Sequence, residues 1–122
     1  MIQKASELRK SLEPNLKGGK DTVRLIHFLE PENACGSGRF FGISIIPPGG
    51  SIGYHQHVGD FEQYYILKGT ARIVHNGVED SLGPGDAMLC REGDFHSIEN
   101  KGETDLEYVA IILYSKQQTT EG

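Results

Sequence analysis

A chain of 122 residues has room for one domain, and at that length about two-thirds of the unfolded surface can be buried, so no metal or disulfide is needed merely to hold a core. Its two cysteines make no disulfide framework, and no apolar run approaches the roughly 18 residues of a membrane-spanning helix. The net charge of −5, with acids and bases interspersed, argues against nucleic acid or an anionic membrane as partner.

The first residues, Met1 to Glu7, lack the apolar core of a signal peptide, and with reduced thiols the expected location is the cytoplasm. Residues 1–22 read differently from the rest. Ile2, Leu8 and Leu12, among Lys4, Glu7, Arg9 and Lys10, predict a short amphipathic helix ended by Pro14. Leu16 to Lys20 then breaks the pattern. This segment is expected to be an arm packed on the main body or on a second subunit, with a frayed terminus as the alternative.

From Val23 onward the chain alternates strands and turns. Strands are predicted over 23–29, 39–46, 53–57, 63–67, 71–75, 78–82, 87–90, 95–99 and 107–114. Asn76-Gly77 suits a two-residue type I′ hairpin, because both positions tolerate positive φ. Seven to nine short strands with turns every 8–12 residues predict an all-β antiparallel sandwich or barrel over 23–116. Residues 117–122 are read as a tail.

Five histidines are present. His55 and His57 lie two apart on a strand-like segment, so their side chains leave one face. Glu62 follows at the head of the next strand, and its carboxylate can meet both imidazoles if residues 58–61 bend back. His96 opens a later strand behind a Gly93 turn and could supply a fourth ligand. Three neutral imidazoles and a carboxylate suit Mn, Fe, Co, Ni or Zn, and leave positions open for water or substrate. His75 reads as a surface residue closing the Asn76-Gly77 hairpin. His27 reads as a packed or edge residue.

These positions fall in a recognisable frame. Gly49, His55-Gln56-His57, Glu62 and Gly69 follow the first motif of the cupins. Gly85, Gly93, His96 and Asn100 follow the second, with Arg91 where proline is usual. The chain therefore resembles a small single-domain cupin. The resemblance implies a jelly-roll β-barrel, with His55, His57, Glu62 and His96 facing inward onto a divalent metal, and a frequent homodimer.

Parity places Tyr64 beside Glu62 on the inward face, where it could donate a proton to bound substrate or hold a metal-bound oxygen. Tyr54 and Tyr65 should face the other way. Candidates for an apolar wall are Phe41, Ile43, Ile45, Ile52, Ile66, Met88, Cys90, Ile98 and Ile111, though periodicity leaves the inward face of each strand open. Arg39 or Arg72 could pair a substrate carboxylate, solvated strand arginines being the commoner case.

Function follows as an expectation. A metal with open positions could act on a small carboxylate, hydroxy or keto acid, or sugar by decarboxylation, elimination, isomerisation or dioxygenation. Tyr64 and then Glu62 are the acid/base candidates. The alternative is a non-catalytic barrel that binds or senses a metal-bound small ligand. The chain is similar to small proteins of oxalate-decarboxylase type, but Ile52 stands where those enzymes usually place an arginine, and their Ser-Glu-Asn-Ser lid has no counterpart.

Overall fold

The structure, a computed structural model, describes residues 1–116, so the predicted tail at 117–122 lies outside the described residues. Ten strands form: β1 (Arg9–Pro14), β2 (Thr22–His27), β3 (Gly38–Ile46), β4 (Ser51–Gln56), β5 (Asp60–Lys68), β6 (Ala71–His75), β7 (Val78–Leu82), β8 (Ala87–Cys90), β9 (Phe95–Asn100) and β10 (Leu106–Tyr114). They pair antiparallel in a six-stranded sheet, β1-β2-β3-β10-β5-β8, and a four-stranded sheet, β4-β9-β6-β7. The sheets pack face to face in the manner of a jelly roll, without closing into one hydrogen-bonded ring. Among the described residues no helix is long and apolar enough to cross a membrane.

Turn chemistry explains the strand ends. Asn76 and Gly77 have φ of 49° and 81°, the two positive values that a type I′ turn between β6 and β7 requires. The core lies between the sheets. Tyr64, Ile66, Leu106 and Tyr108 come from the larger sheet and meet Ile52, Ile73 and Ile98 from the smaller. Ile66 and Ile98 are wholly buried, and each such side chain contributes about 1.5–3 kcal/mol of transfer free energy.

Residues 9–14 are a strand, not the predicted helix. The edge of β2 offers unpaired N–H and C=O groups, and β1 satisfies them over six residue pairs, from Arg9↔His27 to Pro14↔Thr22. Of the apolar residues that suggested a helix, Leu8 is half-buried, while Ile2 is 84% and Leu12 67% exposed. After β1 the chain crosses the start of β4 at very close range. Ser51 N donates to Lys20 O at 2.9 Å, and Lys20 N donates to Ser51 Oγ at 2.9 Å. Only a glycine fits at position 53, since a Cβ there would overlap the Lys17 carbonyl oxygen.

The frame of β3 also differs from part of the predicted wall. Phe40 and Ser44 turn to the inner side, so Phe41, Ile43 and Ile45 lie on the other face of the sheet with Ile111 of the neighbouring β10, where Phe41 and Ile45 are nonetheless buried. Ile52, Ile66 and Ile98 are in the inner core with Met88 packed against it, and Cys90 is buried.

Candidate metal centre

Four side chains predicted to converge do so. His55 comes from the end of β4, His57 from the residue just after it, Glu62 from β5 and His96 from β9. One ligand atom from each lies within 4.8 Å of the others. His57 Nε2 is 3.0 Å from Glu62 Oε1 and 3.1 Å from His96 Nε2, while His96 Nε2 is 3.3 Å from Glu62 Oε1. The three imidazole centroids are 4.8–5.1 Å apart.

The local folding that achieves this is specific. The pairing of β4 with β9 shifts register between Ile52 and His55, after which His55 pairs with His96. Gly59, at φ 80°, turns the chain back so that Glu62 returns to the histidines. Arg91, which stands where proline is usual, leaves His96 in register. Its backbone N–H, a donor that proline lacks, bonds Asp94 Oδ2 at 3.0 Å, and Asp94 N donates to Arg91 O at 3.0 Å. Asn100, at the end of the second motif, is a buried tie. Its amide donates to Ile46 O and Thr104 O at 2.8 Å and accepts from Gly102 N at 2.9 Å.

Outer hydrogen bonds set the tautomers. His55 Nδ1 donates to Gly53 O at 2.6 Å, which leaves Nε2 as its free lone pair. His57 Nδ1 donates to Asp60 Oδ1 at 2.6 Å, and Asp60 Oδ2 accepts from Arg39 Nε at 2.8 Å. Asp60 is thus the positioning group for His57, and residue patterning missed it. The question that finds it is which acid near the first motif could hold the second nitrogen of a ligating histidine.

The charges fit a cation. Burial pulls the His57 imidazole down, but hydrogen bonds to Glu62 and Asp60 outweigh it and leave its pKa raised. Burial likewise pushes Glu62 up, and its bonds to His57 and His96 outweigh that and leave it lowered. The cluster therefore favours positive charge in a buried place. His55, pulled down by burial, stays neutral more readily. His96 Nδ1 is buried with no hydrogen-bond partner among the described residues.

A cavity of about 190 Å³ opens beside the cluster. Its wall includes Ile52, Phe40, Ser44, Tyr64 and Arg39, and the N-terminal segment adds Glu13, Leu16 and Lys17. Tyr64 is buried, stacked on His96 at 5.2 Å between centroids, as its parity requires. Burial raises its phenol well above the ordinary 10.0, so it remains a proton donor. Beneath it, the Tyr108 hydroxyl is buried without a well-formed hydrogen bond. Tyr54 and Tyr65 are about half exposed, on the other face.

The remaining histidines lie outside the cluster. His27 bridges β1 and β2, accepting from Arg9 and bonding Ser11 Oγ at 2.9 Å. His75 bonds Asp94 at 3.0 Å near the β6–β7 hairpin.

Comparison with known proteins agrees with this geometry. Residues 42–112 match the cupin domain. An oxalate-binding protein of Thermotoga maritima is 40% identical over 113 residues, 93% of each chain. The crystal structure of a predicted oxalate decarboxylase from the same organism superposes with a TM-score of 0.88 at 39% identity, covering 93% of this chain and 99% of that one. The cupin domain of Schizosaccharomyces pombe Cnp3 shares the fold alone, with a TM-score of 0.70 at 14% identity over 86% of this chain and 69% of that one.

Proposed function

The chain belongs to the cupin family, and from that premise we propose that it holds a divalent transition metal through His55, His57, Glu62 and His96 and uses it to bind a small carboxylate of the oxalate class. The observation that carries this reading is the convergence of four ligand atoms within 4.8 Å, with His55, His57 and Glu62 in the wall of a small cavity. When bound, Mn, Fe, Co, Ni or Zn would supply a Lewis-acidic centre that fixes ligand oxygens. The chain's own groups do the rest. Glu62 is held ionised and serves as a ligand rather than an acid. Tyr64 keeps its proton and offers a hydrogen bond to a ligand oxygen. At about 190 Å³ the cavity falls below the roughly 300 Å³ at which drug-sized pockets begin, so the ligand is small. The name of the 40% identical relative supports the oxalate class.

Turnover is the second reading, and Tyr64 in the cavity wall is what favours it. Elemental analysis after tag-free purification, followed by titration with small carboxylates and a search for turnover, separates the two. Metal, saturable binding and no turnover are expected. Turnover that Tyr64→Phe abolishes with metal retained would replace binding with catalysis. A protein that takes up no first-row divalent ion ends both readings.

A homodimer belongs to the same proposal. Ile26, Ile43, Val109 and Tyr65 form an apolar row across four neighbouring strands on the outer face of the large sheet. A second copy laid on that face would cover it, and light scattering should return twice the chain mass.

A further inference from the structure

Arg39 lines the cavity from β3, and only part of its donor set is used. Its Nε is anchored on Asp60, whose side chain is 8% exposed, while the arginine side chain is 46% exposed. It therefore joins a buried carboxylate to solvent from within the cavity wall. Among the described residues its two terminal nitrogens have no hydrogen-bond partner. The anchor fixes the plane of the guanidinium, so those donors are held in place before any ligand arrives, and little side-chain entropy is lost on binding. The other charged groups of the wall outside the His/Glu cluster are Glu13 and Lys17, of opposite sign. Arg39 is thus the built-in cationic fork of the cavity.

We propose that Arg39 determines ligand charge. One carboxylate of the ligand sits at the His/Glu cluster, the second meets the terminal nitrogens of Arg39, and the cavity selects small dianionic dicarboxylates over monocarboxylates of equal size. The proposal rests on the metal-and-carboxylate reading above and adds the residue that sets its selectivity. Because Asp60 joins Arg39 to His57 through two hydrogen bonds, the same contact also bears on a ligand histidine.

The test uses the full chain loaded with manganese(II), with metal content measured on each sample, titrated calorimetrically with oxalate and with glycolate. Glycolate has a similar size and two oxygen donors but one negative charge. Arg39→Gln is expected to weaken oxalate binding about ten- to a hundred-fold, the range for one charge-assisted hydrogen-bonded contact, and to leave glycolate nearly unchanged. Arg39→Lys keeps a cation beside Asp60 but loses the fork, and should show a smaller loss in the same direction. It decides the matter should the Gln variant fail to load metal. Equal losses for both ligands, or none for either, overturn the assignment and leave the metal-and-carboxylate reading intact. Metal loss from both variants makes Arg39 a positioning residue acting through Asp60, and also overturns it. Loaded wild-type protein that binds neither ligand overturns the underlying reading as well.

Discussion

Replacing Asp60 with asparagine isolates the outer hydrogen bond from the four converging side chains. Asp60 accepts twice, from His57 Nδ1 at 2.6 Å and from Arg39 Nε at 2.8 Å. Asparagine has one acceptor oxygen and one NH₂. If its oxygen stays on His57, its NH₂ faces the Arg39 N–H. If the amide turns over, His57 Nδ1 meets a donor and must carry its proton on Nε2, the atom aimed at Glu62 and His96. Either arrangement weakens the cation site, and losses of such outer partners run about 10–100-fold in metal affinity, or about 1.4–2.7 kcal/mol. Asp60 also supports the charged form of His57, so Asp60→Asn should lower the His57 pKa in metal-free protein. Chelator competition reads the first effect and ring-proton NMR titration the second. A variant with wild-type metal affinity and an unmoved His57 titration would refute the reasoning.

Three further outcomes follow from other parts of the molecule. Gly53→Ala places a methyl on the Lys17 carbonyl oxygen, so urea unfolding should show a loss of about 1–3 kcal/mol, the usual cost of overpacking, and metal affinity should fall because Gly53 O holds His55; no change in either would contradict the close crossing. The hydrogen bond from Arg9 holds the Glu30 carboxyl below its ordinary 4.5. A depressed folded pKa stabilises above 4.5 and loses that contribution as pH falls below it, so wild type should exceed Glu30→Gln near neutrality and the gap should close on acidification; a gap independent of pH would refute the ion pair's role. Cys90 is buried, and burial pushes its thiol up to about 12, so a thiol reagent should label exposed Cys35 alone until the chain unfolds; rapid labelling of two thiols in native protein would disagree.

What the residues disclose before folding depends on how each signal arises. The hairpin at Asn76-Gly77 and the pair His55 and His57 are local, since turn chemistry and two-residue parity act over a few positions. β1 is not local. Its burial alternates only weakly, because an edge strand is stabilised through its backbone and leaves its side chains exposed on either face. The inward face of β3 was unreadable for another reason. Phe40, Phe41, Ile43, Ile45 and Ile46 make both parities apolar, and only the pairing with β2 and β10 chooses between them. Asp60 escaped because its role depends on the Gly59 turn, which brings a residue three positions on back to His57.

The placement of the cluster has a consequence for how function is to be demonstrated. Glu62 stands on the six-stranded sheet, whereas His55 and His96 stand on the four-stranded one. A cation held by all four would tie the two sheets together and stabilise the folded chain by mass action, about 4 kcal/mol at a thousand-fold excess over Kd. A stiffening ion and an ion that receives ligand would both raise the melting temperature on loading, so metal-dependent stability alone cannot separate a structural centre from a binding one. The separation comes from the second addition. A centre whose positions are all filled by protein gives no further shift with oxalate. A centre open to the cavity beside Arg39 and Tyr64 gives a second shift that depends on ligand charge and vanishes when the metal is removed.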